Sequence, residues 1–473
     1  MLREMFKWKP HEDPSTDAGH RGGVARSGDE GAVMALERRR NTVWLYRKGQ
    51  PPCGRSLWVK QNRSIFPNAL FGKLYKRVKA NRGAAGVDDQ SIEAFDQDVK
   101  NNLFKLWNRL SSGSYFPPPV KRVAIKKRQG GSRPLGIPTV ADRIAQGVVK
   151  ACLEPELERQ FHPDSYGYRP DKSALEAVGV ARQRCWRYDW VLDLDIRAFF
   201  DTIPHDLLLR AVRKHTDCQW VLLYIERWLT ASVQLENGAL EPRERGTPQG
   251  SVISPLLANL FLHYAFDRWM AKHHPDVPFE RFADDAVCHC SSEYQARRLQ
   301  AELERRFAEC GLALHPDKTQ IVYCKDNARR GQYPNQKFDF LGYTFRPRLA
   351  MNRWGKTFVN FSPGMSNRAA KAIRQTMRDW KLDCRIDKGI DDLAKIFNPI
   401  IRGWIMYYGR YHKSALSRVL MHLDLRLACW AMSKYRRLRG HRRRARCWIQ
   451  DIRRREPALF AHWTLLYRAT VGQ

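Results

Sequence analysis

With 473 residues, 43% of them hydrophobic and 11% aromatic, the chain can fill about two to four folded domains, so disorder along its whole length is excluded. It carries 83 Lys and Arg against 49 Asp and Glu, and the net charge of +34 favours a polyanionic partner, either nucleic acid or an anionic membrane surface. The sequence shows no long apolar span, no signal-peptide core and no CxxC pair among its eleven cysteines, so we expect a cytoplasmic protein without a membrane span and without zinc.

The N-terminal third is predicted to begin irregularly and to continue in helices. Residues 1–55 are rich in Gly, Pro, Asp and charge, which is typical of a loosely ordered basic leader. Leu70, Leu74 and Val78 then recur at helical spacing. Residues 117–141 hold six basic residues and no acidic one around a Gly-Gly turn, which predicts a hairpin whose cations lie over phosphates or simply in solvent. The cations nearest the turn are Lys126, Lys127, Arg128 and Arg133.

A first acidic strand is predicted at residues 188–200. Apolar residues surround Asp193 and Asp195 there, and an unpaired charge in a buried strand is costly. One of the two carboxylates should therefore lie at a strand end or bind a metal ion. The segment ends in two phenylalanines, the second of which is Phe200, and in a stop at Pro204.

Residues 246–270 pass from a Gly/Pro loop into a predicted long amphipathic helix. Gly250, beside Gln249, would let the backbone approach a flat ligand closely.

A second acidic segment, residues 281–290, predicts two short strands whose connecting turn carries Asp284 and Asp285. Adjacent like charges inside an apolar hairpin call for a cation, and oxygen ligands of this kind suit Mg²⁺.

The remaining segments are predicted as follows. Asp317 and Lys318 precede a strand, and FDFLGYTF (338–345) is predicted to be one strand with a glycine at its middle. Residues from 364 onward are helical and basic, with an aromatic stripe expected in the core. The arginine-dense segment 441–473 is predicted to be a small nucleic-acid-binding appendage.

Taken in order, the strand with Asp195, the PQG loop and the FADD hairpin resemble motifs A, B and C of the reverse transcriptase palm. GGSRPLGIP resembles the fingers motif that covers the incoming nucleotide, FDFLGYTF resembles the primer grip, and 398–411 resembles the maturase domain of group II intron-encoded proteins. The resemblance covers roughly residues 60 to 470. It implies an α+β right-hand polymerase, with fingers and an antiparallel palm sheet flanked by helices, followed by an all-helical thumb/maturase domain.

The domains implied by this resemblance are a leader (1–55), an N-terminal extension with fingers (56–187), a palm (188–350), a thumb/maturase domain (364–440) and a short DNA-binding segment (441–473). The ending PALFAHW is similar to that of members without a C-terminal endonuclease. No second-strand nicking is therefore expected, and the primer is expected to come from another source.

The resemblance also implies site residues. Two Mg²⁺ ions, or Mn²⁺ in their place, are expected on Asp195, Asp284 and Asp285, with the main-chain carbonyl of Ile196 completing one shell and Asp193 in support. Phe200 would exclude a ribose 2′-hydroxyl, and Phe282 replaces the usual tyrosine of motif C. The expected nucleotide and template contacts are Arg133, Lys126, Gln249, Gly250 and Lys318, the last as a proton donor to pyrophosphate or as a plain surface lysine. The expected primer grip is Phe340, Leu341 and Gly342.

The function implied is RNA-directed DNA synthesis together with binding of a group II intron RNA to assist its splicing and its mobility by target-primed reverse transcription. The expected partners are intron RNA, an RNA template, a DNA target or primer and dNTPs, in the bacterial cytoplasm near the nucleoid. Three alternatives stay open: a domesticated or defence-associated reverse transcriptase, an RNA-binding maturase with an idle polymerase, and an RNA-dependent RNA polymerase. Phe200 disfavours the last, since such enzymes typically have a polar residue at this position.

Overall fold

The computed structural model describes residues 66–126 and 132–467. The predicted leader and the cations Lys127 and Arg128 lie outside these described residues. Within the described part of the chain, no helix is long and apolar enough to cross a membrane.

The first part of the fold consists of helices around a small basic hairpin, and both features agree with the sequence-based predictions. Its elements are α1 (Asn68–Asn81), α2 (Ile92–Gln97), α3 (Val99–Ser112), β1 (Val120–Lys126), β2 (Ser132–Ile137), α4 (Val140–Gln160) and α5 (Ala174–Cys185). Ser91 caps α2 by accepting a hydrogen bond from the amide of Ala94, and Thr139 caps α4 through the amide of Asp142.

The central part is built on a four-stranded antiparallel sheet with strand order β6-β7-β3-β8, which we call the palm sheet. The elements of this part are β3 (Trp190–Asp195), α6 (Phe199–Thr202), α7 (His205–Arg213), α8 (Gln219–Thr230), β4 (Val233–Gln234), β5 (Leu240–Glu241), α9 (Ser254–Leu262), α10 (Arg268–His273), β6 (Phe279–Phe282), β7 (Asp285–Cys290), α11 (Glu293–Glu309) and β8 (Gln320–Tyr323). The short strands β4 and β5 extend the basic hairpin into a second sheet of order β2-β1-β4-β5.

The last part combines a three-stranded antiparallel sheet, β11-β10-β9, with a helical C-terminal region. Its elements are β9 (Phe338–Phe340), β10 (Tyr343–Met351), β11 (Thr357–Met365), α12 (Asn367–Asp379), α13 (Ile390–Tyr408), α14 (Lys413–Lys434), α15 (Arg442–Arg455) and α16 (Ala461–Tyr467).

The palm sheet separates two hydrophobic cores because the side chains of each strand alternate between its faces. Leu192 and Cys288 belong to the core that includes α1, α4, α9 and α11, whereas Val191 and Val287 belong to the core formed with β9–β11 and α12–α16. The acidic ends of the strands are therefore held in place from both sides.

Three predictions from sequence are wrong in detail. FDFLGYTF is a tight hairpin and not one strand, because Leu341 and Gly342 both adopt positive φ (50° and 81°) and join β9 to β10. The segment from Ser254 is not amphipathic, since almost every side chain of α9 is buried. The arginine-rich C-terminus is not an appendage: Ile449 and Trp463 lie in the same core as the thumb helices.

Candidate active site

The two acidic segments meet in the palm sheet. β3 pairs with β7 so that Asp195 is the direct partner of Asp285, and β6 pairs with β7 so that Phe282 faces Asp285. Ala283 and Asp284 form the two-residue turn between these strands, with Ala283 at φ 58°. The fold thus brings the three predicted carboxylates to one end of the sheet.

Burial and neighbouring negative charges act together on the carboxyl group of Asp285 at this end of the sheet. Burial, followed by the charges of Asp284 and Asp195, raises the pKa of Asp285 to about 7, while Lys318 and Arg368 act in the opposite direction. A bound cation would relieve the part of this effect that comes from the charges of Asp284 and Asp195.

Lys318 supplies one such cation. Its ammonium donates hydrogen bonds to both carboxylate oxygens of Asp195, at 3.0 and 2.9 Å, and its own side chain remains 56% exposed. The loop that carries it is fixed to the end of β3, because the amide of His315 donates to the carbonyl of Asp195 at 2.8 Å. The structure therefore places Lys318 at the carboxylate cluster and not on a distant surface.

The carboxylates could hold a divalent metal ion that needs only a few protein ligands. In the described part of the chain, no group of three or more His, Cys, Asp or Glu side chains is arranged to hold a metal ion. Mg²⁺ does not require one, because it keeps several waters and binds through one or two carboxylates together with substrate phosphates. Asp195 and Asp285 form a pair of that kind.

Ile196 follows Asp195 in the chain and forms an isolated antiparallel β-bridge with Leu314. The two hydrogen bonds flanking this bridge use the carbonyl of Asp195 and the amide of Arg197. The bridge therefore leaves the carbonyl of Ile196 available, which is compatible with its predicted role as a metal ligand.

Asp193 lies deeper in β3, opposite Val287 and Gln320. Burial raises its pKa to about 8, although the Gln320 amide donates a hydrogen bond to it at 3.2 Å. This burial disfavours the charged carboxylate, so Asp193 is a weaker candidate for a metal ligand than Asp195 at the strand end. Its supporting role stays a prediction.

Phe200 lies on the short helix α6, one residue after the buried Phe199, and its ring centroid is 5.4 Å from that of Phe199. Its carbonyl accepts a hydrogen bond from the amide of Thr247 at 2.7 Å, which ties it to the PQG loop. The backbone of the half-buried Phe200 is thereby tied to that loop, on the element that directly follows β3 and Asp195.

The PQG loop packs on the basic hairpin. The Gln249 carbonyl accepts a hydrogen bond from the amide of Gly136 on β2 at 2.7 Å. Gly250 has φ 116°, and a Cβ at this position would lie 2.4 Å from the carbonyl oxygen of Gly136. The close backbone approach predicted for Gly250 is thus made to strand β2, which explains the glycine without any ligand.

Lys126 and Arg133 are placed by their backbones only. Arg133 is the strand partner of Ile125, and Lys126 that of Ser132, so both stand at the turn end of the basic hairpin. Their predicted contacts with phosphate stay predictions.

The expected primer grip is the β9–β10 turn, and it contacts the helical region. The carbonyl of Leu341 accepts a hydrogen bond from the hydroxyl of Tyr407 on α13 at 2.7 Å, and a Cβ on Gly342 would lie 3.0 Å from the hydroxyl oxygen of Tyr408. The aromatic residues of α13 therefore contact the primer-grip turn and also fill the core, where Trp404 and Tyr408 are buried as predicted.

Sequence reasoning missed a buried arginine behind the acidic turn. The Arg281 side chain is 1% exposed and donates to both oxygens of Asp267 at 2.7 and 2.6 Å. It also donates to the carbonyl of Ala283 at 3.1 Å, and to the side chains of Asn259 (3.1 Å) and Ser165 (2.8 Å). One guanidinium thus joins the turn to the helix behind it and to the loop before α5.

The backbone of the loop before α5 also packs closely against the acidic turn. A Cβ on Gly167 would lie 2.4 Å from the amide nitrogen of Ala283, so only glycine fits beside the acidic turn. Asp267 ends a π-helical segment, His263–Asp267, inserted between α9 and α10. Such segments often lie at functional sites. An arginine two residues before an apolar-flanked acidic turn was the available signal in the sequence.

Comparison with known proteins agrees with this geometry. Residues 125–345 match the family described as "Reverse transcriptase (RNA-dependent DNA polymerase)", and residues 370–448 match "Group II intron, maturase-specific domain". "Protein YkfC" of Escherichia coli (strain K12) is 32% identical over 286 residues, which cover 51% of this chain and 73% of that protein. The chain belongs to the group II intron reverse transcriptase/maturase family.

The names of two further relatives refer to introns. The "Group II intron-encoded protein LtrA" of Lactococcus lactis subsp. cremoris is 34% identical over 252 residues, covering 53% of this chain and 40% of LtrA. The "Uncharacterized 91 kDa protein in cob intron" of Schizosaccharomyces pombe is 26% identical over 436 residues, covering 74% of this chain and 51% of that protein. The reverse transcriptase/maturase therefore spans about half or less of the length of these two relatives.

The family match confirms the right-hand polymerase fold that the motif order predicted, with the palm sheet at its centre and the helical maturase region after it. It also assigns the chain to RNA-directed DNA polymerases.

Proposed function

We propose that this chain copies RNA into DNA at the end of the palm sheet, and that it binds a group II intron RNA to assist the splicing and mobility of that intron. The observation that carries the proposal is the strand register that sets Asp195 opposite Asp285 beside the Asp284 turn. Phosphoryl transfer with two metal ions requires carboxylates that converge on one point. Such a set of carboxylates disfavours a maturase with an idle polymerase.

The three aspartates would hold two Mg²⁺ ions, which when bound would activate the primer 3′-hydroxyl and stabilise charge on the leaving pyrophosphate. Asp195 and Asp285 orient the site from two neighbouring strands, so their separation is fixed by the sheet and not by a flexible loop. Preorganisation of this kind avoids the energy of rearranging charges during the reaction.

Lys318 is proposed to protonate the pyrophosphate as it leaves. Its side chain is 56% exposed and contacts Asp195 through the ammonium group. A bound substrate phosphate could therefore replace Asp195 as the partner of this ammonium without moving the backbone. Phe200 is proposed to close the space that a ribose 2′-hydroxyl would need, and thus to select dNTPs. Arg133, Lys126 and Gln249 are proposed to contact the triphosphate and template from the basic hairpin side.

The charge of the chain supports the proposed RNA and DNA partners. A surplus giving +34 provides a field that attracts phosphates over the whole chain, and binding should weaken strongly with salt because counterions are released. The same charge supports the proposed association with the bacterial nucleoid. The helical region 370–448 is the proposed main contact for intron RNA.

A primer-extension assay tests the proposal. The full chain is given an RNA template, an annealed DNA primer and dNTPs with Mg²⁺, and the wild type is compared with Asp284→Ala. We expect extension by the wild type and a loss of about 10³-fold or more in the variant. The matched control is Asp206→Ala, which removes an exposed aspartate on α7. Equal extension by wild type and Asp284→Ala would refute the proposal.

A further inference from the structure

The β10–β11 hairpin extends beyond the core. Both strands have nine residues, and Tyr343 and Phe345 at the base of β10 are fully buried. At the far end Leu349 is 72% exposed and Met351 70% exposed, on the same face as the buried pair because residues two apart share a face. An apolar sheet face therefore continues about 26 Å from the primer-grip turn to the end of the strand.

The turn that closes this hairpin is ordered and presents a tryptophan. The side-chain oxygen of Asn352 accepts hydrogen bonds from the amides of Trp354 (3.0 Å) and Lys356 (2.9 Å), and Gly355 has φ 79°. Trp354 is 74% exposed, and the guanidinium of Arg353 lies over its ring at 4.1 Å from the centroid. We call Leu349, Met351, Arg353, Trp354 and Lys356 the hairpin tip.

The sequence around the hairpin tip carries only positive charges. Between Asp339 and Asp379 the sequence contains no acidic residue and eight lysines and arginines. An aromatic ring stacked with a guanidinium inside a cationic segment offers flat faces to a base and positive charge to its phosphate. A peptide partner with acidic side chains would match the charge but would leave the indole face without a planar counterpart.

We propose that the hairpin tip binds an unpaired stretch of RNA, a role that rests on the proposed function in so far as the chain is taken to bind RNA. Trp354 stacks on a base, Arg353 and Lys356 contact the neighbouring phosphates, and Leu349 and Met351 cover the adjoining sugar and base. The tip shares strand β10 with the primer-grip turn, so RNA held there would lie about 26 Å along the strand from that turn.

The test is a fluorescence-anisotropy titration of the full chain with two labelled probes, an RNA hairpin with an unpaired loop and a blunt RNA duplex of the same stem. We expect Trp354→Ala to weaken binding of the looped RNA by about 5- to 100-fold. Binding of the duplex should not change, and Trp354→Phe should recover most of the loss. The double variant R353A/K356A should lower the salt slope of binding by about 1 to 2.

The matched control is Tyr294→Ala, which removes an aromatic side chain of similar exposure (76%) on α11, far along the chain from the tip. The proposal is overturned if Trp354→Ala binds the looped RNA as tightly as Tyr294→Ala does. It is also overturned if Trp354→Ala weakens both probes equally, since that result means a contact with the duplex backbone or damage to the fold.

Primer extension separates this proposal from the function on which it rests. Trp354→Ala should extend a short primer on a short template at the wild-type rate, and the binding difference should persist in an Asp284→Ala background. Lost wild-type extension with the binding difference intact means that the polymerase proposal fails alone. Normal extension with no binding difference means that the hairpin-tip proposal fails alone.

Discussion

Asp195 stands directly opposite Asp285 on the neighbouring antiparallel strand of the palm sheet. The helices α6 to α10 lie between them in the chain, so the pairing of the strands and not sequence proximity brings the two carboxylates together. A shift of one residue in this register would send one of them to the opposite face of the sheet. The buried contacts that hold the register are therefore as important to the site as the carboxylates.

Arg281 should be necessary for both stability and the geometry of the acidic turn. Replacing it by Met leaves Asp267 buried without its partner, and we expect a loss of about 3 to 5 kcal/mol in the free energy of unfolding. The double variant Arg281→Met/Asp267→Leu removes both charges and should recover much of that loss. Chemical denaturation of the two variants measures this difference.

The double variant also separates positioning from folding. Its stability should be recovered, yet its rate of primer extension should stay low with little change in KM, because the bond from Arg281 to the Ala283 carbonyl is missing. Arg297→Ala, which breaks an exposed pair with Glu293, should cost no more than about 0.5 kcal/mol and leave the rate unchanged. A stable double variant with the wild-type rate would show that Arg281 has a structural role only.

Phe200→Ala should admit ribonucleotides. The ring is fixed on α6 by Phe199 and by the Thr247 bond to its carbonyl, so truncation opens space without releasing the backbone. We expect discrimination against NTPs, measured as the ratio of kcat/KM values for dNTP and NTP, to fall by about 10- to 100-fold. Incorporation of dNTPs should stay near the wild-type rate. Unchanged discrimination would remove Phe200 from the role of 2′-hydroxyl filter.

Asp142 should make stability depend on pH. One of its oxygens accepts hydrogen bonds from Tyr115 and Trp228, both at 2.8 Å, and burial raises its pKa to about 6 from 3.8. Because the folded pKa is the higher one, the stabilising contribution is complete below about 4 and is lost as the pH rises through about 6.

The matched variant is Asp142→Asn, which keeps the accepting oxygen and cannot ionise. As the pH rises from 4 to 8, its free energy of unfolding should increase relative to that of the wild type by about 1 to 3 kcal/mol. Asp206→Asn, at an exposed position, should show no such trend. Parallel pH profiles for the wild type and Asp142→Asn would contradict the prediction.

The parts of the fold that were predictable from sequence are those with a local signal. The acidic pair flanked by β-prone residues predicted the β6–β7 hairpin, and the glycine pair of 117–141 predicted the β1–β2 hairpin, because turn chemistry and strand propensity act over a few residues. Motif order then predicted that Asp195 joins the hairpin, which no local pattern contains.

The remaining features depend on tertiary contacts. Leu341 was not recognisable as a turn residue, since a leucine at positive φ is stable only because the surrounding sheet and Tyr407 hold it. The nearly complete burial of α9 depends on helices distant in the sequence, so its few polar residues gave a misleading amphipathic pattern. The π-helical segment His263–Asp267 has no sequence signature, and it ends at the aspartate that binds Arg281.

The most direct test of the account is the single-turnover rate of dNTP addition on an RNA template by Asp195→Asn, with Asp206→Asn as the control. Asparagine keeps the size of the side chain but removes the charge opposite Asp285. The account predicts a rate about 10³-fold or more below the wild type, with thermal stability and RNA binding retained. A folded Asp195→Asn protein that extends the primer at the wild-type rate would contradict it.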